Sequence, residues 1–301
     1  MPTRLSVERA IGALRRAGID APEREGYRIL ALALETTVEA LWREPSLFLS
    51  PDEARKFEVL VGRRQAGEPF AYLSRSREFF GLSLFTPPGV LIPRPETEHL
   101  VETVLSEKDL PNAPLVVDVG CGSGAIALAV RSARPRWRIL ATDIQCWPLL
   151  VTMANSARLS LPLAVLRANL LDWGPWTPGI EPWALEPIDI LCANLPYIGV
   201  EEVHGMSVET QFEPPEALFA ADAGLFLLDA LIDSAPKRLA ANGGLFLEVG
   251  ARQAEVVAER MRRRGFSQVK TVRDLSGVQR VVYGRWRRGG IRWQSGSPLR
   301  R

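Results

Sequence analysis

Little in this chain points to a metal, a disulfide or a membrane. Its 301 residues include three cysteines, Cys121, Cys146 and Cys192, and two histidines. There is no Cys-x-x-Cys pair and no His/Cys cluster, so neither a zinc mechanism nor a Ser-His-Asp triad has support. Free thiols in this number suit a reducing compartment. The stretch from Met1 to Ile11 lacks an apolar signal core, and no apolar run reaches the roughly 20 residues of a membrane span. The expectation is a cytoplasmic protein with no membrane partner. A charge excess is missing as well. The 37 basic and 35 acidic side chains leave a net +2, which argues against strong nucleic-acid affinity for the chain as a whole. No internal repeat is present. The length suffices for one large and one small domain.

What is present changes character along the chain. Up to about Gly67 the pattern is helical. Ser6 reads as a cap for a helix in which Val7, Ala10, Ile11 and Leu14 share a face, ended by Gly18. Tyr27, Leu30 and Leu34 repeat the pattern. Ser50-Pro51 is a cap with proline at the first helical position, and Asp52 and Glu53 favour the positive helix start. Phe57, Leu60 and Val61 supply a buried face that Gly67 and Pro69 terminate. A hairpin or linker is expected over 77–95, from Phe79, Phe80, Leu82, Leu84 and Phe85 followed by Pro87-Pro88-Gly89.

Strands then alternate with helices. Strands are expected at Leu115–Val119, Arg138–Thr142, Ala164–Arg167, Ile188–Ala193 and Gly244–Val249. Helices are expected at Ser123–Ala133, Leu149–Arg158, Leu225–Leu239 and Gln253–Arg264. Val269–Val272 and Arg280–Tyr283 form a closing antiparallel pair. This implies an α/β fold, a mostly parallel Rossmann-like sheet with an antiparallel edge, beside a small N-terminal helical bundle. The partition is 1–76, 77–95, 96–287 and a basic, disordered tail over 288–301. From Arg285 onward six arginines (Arg285, Arg287, Arg288, Arg292, Arg300, Arg301) occur without an acid, which reads as a solvated tail or a nucleic-acid contact.

Asp118-Val119-Gly120-Cys121-Gly122-Ser123-Gly124 follows a strand and opens a helix. Alternate glycines permit a tight turn and close backbone approach to a ligand. Asp143 ends the next strand, 19 residues beyond Gly124, where a carboxylate can accept both ribose hydroxyl hydrogens. These features indicate an adenosine-type ligand and leave NAD and S-adenosylmethionine both open. Cys121 and Cys192 have no neighbouring base and read as packing residues.

Asn194-Leu195-Pro196-Tyr197 follows the strand at 188–193. Ligands of open α/β sheets gather beyond the carboxyl ends of strands, so this segment belongs beside the glycine loop. An amide nitrogen is a poor nucleophile because its lone pair is delocalised. A site assists it by accepting both N–H hydrogens, which orients the nitrogen and stabilises developing positive charge. The Asn194 side-chain oxygen and the Leu195 carbonyl are the candidate acceptors. Pro196 stiffens the turn, and the Tyr197 ring can pack on a flat group. Taken alone, the tetrapeptide could also be a polar turn.

Four stretches carry a resemblance to a known family. They are Glu68–Leu73, Leu91–Glu98 (Leu-Ile-Pro-Arg-Pro-Glu-Thr-Glu), the glycine loop with the Asn194 segment, and Phe212–Leu218 (Phe-Glu-Pro-Pro-Glu-Ala-Leu). Asp274-Leu275-Ser276-Gly277 and Arg280-Val281-Val282 fit at the end. The chain resembles the bacterial N5-glutamine methyltransferases of peptide chain release factors, the PrmC/HemK family. The resemblance implies a methyltransferase domain at 96–287 that uses S-adenosylmethionine, and methyl transfer to the side-chain amide of the glutamine in a release factor's Gly-Gly-Gln loop. It also implies a substrate-recognition role for 1–76. By position, Gly120, Cys121, Gly122, Ser123 and Gly124 would line the cofactor's methionine part, Asp143 its ribose, and Asn169 and Leu170 its adenine region. Asn194, Leu195, Pro196 and Tyr197 would hold the glutamine, with Asn194 also touching the cofactor. Glutamine in a ribosomal protein, or an exocyclic amine in nucleic acid, is the alternative acceptor; a non-catalytic binding module is the alternative class. A monomer is expected. The chain departs from the family pattern at Leu195 (usually proline), Asn169 (commonly an acid), Arg75 (commonly glycine) and Ala220–Gly224 (usually richer in glycine).

Overall fold

A computed structural model describes residues 3–43 and 48–287; the expected tail at 288–301 lies outside them. The chain divides into two compact units. One comprises everything up to Ser76 with Thr86–Pro88 and Gly205–Glu213, and the other comprises Arg77–Phe85, Gly89–His204 and the chain from Pro214.

The first unit is helical: α1 Thr3–Arg16, α2 Pro22–Ala33, α3 Val38–Arg43, α4 Pro51–Gln65 and α5 Phe70–Ser74. Helix α1 begins at Thr3, not at a Ser6 cap, because Thr3 is buried and continues the inward face of Val7 and Ala10. Val7, Ala10 and Leu14 meet Ile29, Leu30, Phe57, Leu60 and Val61 in one core. Ser50 makes a full capping box at α4, its hydroxyl accepting from the Glu53 amide while the Glu53 carboxylate accepts from the Ser50 amide. Arg75 closes α5 with φ +54°. A glycine would enter that left-handed region at little cost, whereas arginine is strained there.

Arg64 organises this unit. Its side chain is buried, and its guanidinium donates to the Glu25 carboxylate at 2.9 Å and to Glu68 O at 3.2 Å. It also ion-pairs with Glu209, from the inserted segment. Removing one partner of a buried pair strands the other. Arg64→Ala is expected to cost about 3 kcal/mol in urea unfolding, and a loss below about 1 kcal/mol would mean the pair behaves as a surface bridge.

The second unit opens with a hairpin, β1 Ser76–Phe79 and β2 Leu82–Phe85, and continues with α6 Glu98–Leu105, β3 Leu115–Val119, α7 Ala125–Ala133, β4 Arg138–Asp143, α8 Cys146–Leu159, β5 Ala164–Arg167, β6 Ile188–Ala193, β7 Ile198–Gly199, β8 Phe219–Ala220, α9 Phe226–Ser234, β9 Leu239–Glu248, α10 Ala254–Arg264, β10 Phe266–Arg273 and β11 Gln279–Trp286. The seven-stranded sheet has the order β10-β11-β9-β6-β3-β4-β5. Its β9, β6, β3, β4 and β5 are parallel, and β11 and β10 pair antiparallel at one edge. Alternate strand residues feed two cores: Val117, Leu140, Leu191 and Leu245 pack with α9 and α10, while Val116, Ile139, Ile190 and Phe246 pack with α6 and α7.

Two expectations need correction here. The apolar run Leu225–Leu239 is not one helix. It ends at Ser234, passes through a 3-10 turn at Ala235–Lys237 and enters β9 at Leu239; Pro236 cannot extend the helical ladder. Arg285 is not part of a solvated tail but lies in β11, ion-paired with Glu107 and donating to Asn242 O at 3.0 Å.

From the central β3 the chain moves outward in one direction through β4 and β5, then returns to the other side with β6. That reversal makes the carboxyl ends of β3 and β6 the topological switch point of the sheet. The glycine loop and the Asn194 segment leave the sheet there.

Candidate active site

A cavity of about 330 Å³ opens at this point. Gly120, Cys121, Gly122 and Ser123 line it from the loop after β3, Asp143 from the end of β4, Asn169 and Leu170 from beyond β5, and Asn194, Leu195 and Pro196 from beyond β6. Gly124 does not line it; with φ +82° it starts α7. Tyr197 lines a smaller adjoining hollow that shares Leu91, Arg94, Asn194, Leu195 and Ala217 with the main cavity.

The loop is held open by its backbone. The amides of Gly120 and Cys121 both donate to Thr142 O, at 2.8 and 2.9 Å. Gly120 has φ +74°, and a Cβ there would stand 2.9 Å from Leu195 Cδ2. At Gly122 (φ +56°) a Cβ would meet nothing within 4 Å, so a side chain would project into open space that a ligand can use. Thr152 donates to Gly122 O at 3.1 Å. Asn155 joins the loop to the hairpin, donating to Ser123 O and Phe85 O at 2.9 Å each and accepting from the Phe85 amide at 2.6 Å.

Asp143 is fixed by the Gln145 amide on one oxygen (2.9 Å) and the Gly122 amide on the other (3.1 Å). Burial raises its pKa, and these backbone donors oppose the shift. Ile144, Trp147 and Leu227 add apolar wall. A half-buried acid at the strand end, an open glycine turn and apolar sides together suit a nucleoside with a short charged extension. Burial holds the Cys121 and Cys192 thiols well above the usual range, which suits packing rather than nucleophilic chemistry.

The Asn194 segment is set by contacts that sequence reasoning missed. Asn194 Nδ2 donates to Thr97 Oγ1 at 3.1 Å. The Tyr197 hydroxyl donates to Glu248 Oε1 at 3.3 Å. The Tyr197 carbonyl accepts from Gln253 Nε2 at 2.8 Å, and the same nitrogen donates to Ala223 O at 2.9 Å. Asp222, Ala223 and Gly224 are three consecutive left-handed residues, at φ +56°, +50° and +81°. The backbone here favours glycine, and this chain has glycine at the last of the three positions only. A Cβ on Gly224 would collide with the Tyr197 carbonyl.

Two buried acids stand near. Burial pushes Glu248 up to about 7, against hydrogen bonds from Thr97 and Tyr197 and the charge of Arg280. Asp118 is also pushed by burial to about 7; one oxygen accepts from the Ala127 amide at 3.1 Å, and the other has no partner among the described residues. A signal for Glu248 existed: like Asp143, it is an acid ending an apolar strand.

The cavity also gathers residues of two further stretches that carry the resemblance, Leu91–Glu98 and Phe212–Leu218. Leu91, Pro93, Arg94 and Thr97 come from one, and Pro214, Glu216 and Ala217 from the other.

Comparison with known proteins agrees. Residues 7–74 match the model of the PrmC N-terminal domain. A release factor glutamine methyltransferase of Aliivibrio fischeri is 34% identical over 283 residues, covering 93% of this chain and 96% of its own. The protein of the same name from Bordetella pertussis is 38% identical over 236 residues, 78% of this chain and 84% of its own. Among solved structures, a methyltransferase from Pyrococcus furiosus superposes with a TM-score of 0.50 at 16% identity, over 77% of this chain and 97% of that one, which supports the fold.

Proposed function

We propose a reaction from one established premise: the chain belongs to the family of release factor glutamine methyltransferases. It transfers a methyl group to the side-chain amide nitrogen of the glutamine in a release factor's Gly-Gly-Gln loop. The observation that supports this best is convergence. The glycine turn, Asp143, the Asn194 segment and the Leu91–Glu98 stretch all border one cavity.

S-adenosylmethionine, when bound, supplies an electrophilic methyl group. Gly120 to Ser123 would hold its methionine part, Asp143 would accept from its ribose hydroxyls, and Asn169 and Leu170 would border its adenine. Asn194 Oδ1 and the Leu195 carbonyl accept the two hydrogens of the target amide, which orients its nitrogen. Positive charge would grow on the amide nitrogen as it takes up the methyl group that the bound cofactor would supply. The two acceptors stabilise that charge until one N–H hydrogen leaves as a proton to solvent water. Tyr197 borders the hollow next to Asn194 and flanks the planar amide. The chain acts in the cytoplasm as a monomer, with residues up to 76 engaging the release factor.

Methyl transfer to purified release factor, to its loop Gln→Ala variant and to total RNA tests this reading. Transfer to the first alone is expected; transfer to RNA and not to release factor would overturn it. Asp143→Ala is expected to weaken cofactor binding about tenfold or more, given two lost charge-assisted hydrogen bonds. Equal affinity by calorimetry would remove Asp143 from the ribose site.

A further inference from the structure

Three loops meet at one side-chain amide. Gln253 immediately precedes α10 and is half-buried. Its own loop orients it. The Gln253 backbone N–H donates to Gly250 O at 3.0 Å, and its side-chain Oε1 accepts from the Gly250 amide at 2.9 Å. Nε2 then donates to Tyr197 O at 2.8 Å and to Ala223 O at 2.9 Å, which uses both of its hydrogens. Two glycines clear the space. A Cβ on Gly250 would stand 3.0 Å from Oε1, and one on Gly224 would stand 2.8 Å from Nε2. Turned over, the side-chain amide would set its oxygen against two carbonyls, so one orientation alone satisfies all three loops.

We propose that Gln253 is a positioning residue for methyl transfer: it pins the Tyr197 carbonyl and thereby sets the direction of the Leu195 carbonyl, which receives one hydrogen of the target amide. The inference rests on the proposed role of the Leu195 carbonyl. A backbone carbonyl has no side chain through which it can be aimed. Its direction follows from the peptide planes on either side. Asn194 is held at one end of the segment by its bond to Thr97 Oγ1. Pro196, with φ restricted to about −65°, leaves few ways to connect Leu195 to Tyr197. Fixing the Tyr197 carbonyl at the other end therefore fixes what lies between. The Tyr197 ring is held separately, through its hydroxyl on Glu248 Oε1. Gln253 does not border the main cavity, so it acts on the segment and not on the cofactor's place.

Two substitutions separate hydrogen bonding from bulk. Gln253→Met keeps the length and removes every hydrogen bond of the side chain. Gln253→Glu keeps an acceptor for the Gly250 amide but, when ionised, has no hydrogen to give and turns a charge toward two carbonyl oxygens. Protonated, the same carboxyl can donate to one of them. The activity of Gln253→Glu relative to wild type at the same pH is therefore expected to rise as pH falls. The ratio for Gln253→Met is expected to stay level. Because Gln253 is half-buried, water can take up part of the lost bonds, and both variants should fold.

Single-turnover transfer to release factor at saturating cofactor, measured below the onset of unfolding, reads the effect. Gln253→Met is expected to lower the rate about tenfold, part of the loss seen when a positioned group is deleted. Gln253→Glu should lose at least as much above neutral pH. Cofactor affinity by calorimetry should stay within about twofold in both, because the cofactor contacts are untouched. A folded Gln253→Met with the wild-type rate overturns the proposal. So does a loss that falls on cofactor affinity instead of the rate. A Gln253→Glu ratio that does not change with pH overturns it too, and decides the matter if Gln253→Met does not fold. Wild-type transfer to release factor tests the function separately. If the wild-type chain prefers another acceptor, the same ratios are read on that acceptor. Independently of turnover, the Leu195 carbonyl ¹³C resonance should move in Gln253→Met together with that of Tyr197; a Leu195 resonance that stays in place while Tyr197 shifts overturns the proposal.

Discussion

Asn194→Ala is expected to reduce methyl transfer to release factor by about 10²-fold or more, the scale on which a positioned hydrogen-bonding group contributes to stabilising developing charge. The loss should fall mainly on kcat. In the ground state the acceptor amide can exchange its bond to Asn194 for one to water, but in the transition state the growing charge on nitrogen makes a fixed acceptor more valuable. Thr97 would lose its Nδ2 partner in the variant, yet the fold should persist because Asn194 is not fully buried. Single-turnover kinetics at saturating cofactor, compared with cofactor affinity by calorimetry, separates the effects. Unchanged turnover would refute the role given to Asn194.

Gly224→Ala should be nearly as damaging although residue 224 touches no reacting atom. The left-handed backbone at φ +81° penalises any Cβ by about 1–2 kcal/mol. The new methyl would also overlap the Tyr197 carbonyl and crowd Gln253 Nε2. A backbone carbonyl cannot swing aside as a flexible side chain can. The segment after Asn194 must therefore shift or the turn must open, and either breaks the Gln253 bonds to Tyr197 O and Ala223 O. We expect a stability loss of about 3 kcal/mol or more together with a fall in kcat of about 10²-fold, the scale of a misplacement near 1 Å. A normal denaturation midpoint would show that the turn absorbs the methyl group.

The sheet was legible because its parallel strands are apolar on both sides, giving short Val/Ile/Leu runs punctuated by glycine or a terminal acid. Leu115–Val119 and Ile188–Ala193 fall where those runs do. Leu225–Leu239 was misread because an apolar run has no period of its own, and only Pro236 marked the change from helix to strand. Ser6 was misread because a good capping residue is equally comfortable one turn inside a helix when its neighbours keep the buried face.

The cavity was legible in outline for a topological reason: the loops after successive parallel strands end on one side of the sheet. Its supports were not. Gln253 is 56 residues from the Tyr197 carbonyl it holds, and Thr97 is 97 residues from Asn194. No local pattern encodes such pairs. Arg75, Asp222 and Ala223 occupy backbone conformations that favour glycine, which their residue types do not announce.

The helical unit is not a contiguous stretch of chain. Gly205–Glu213 belongs to it, supplying Glu209 to Arg64, and a Cβ on Gly67 would collide with Val208 from the same segment. A fragment cut at residue 76 would keep a buried guanidinium and lose one of its carboxylates. The unit therefore cannot be shuffled between proteins as a single cassette. A transplant must also carry nine residues encoded between β7 and β8, downstream of Asn194. The N-terminal helices and the loop after β6 are thereby linked in inheritance, since recombination between them separates a core from one of its own pieces.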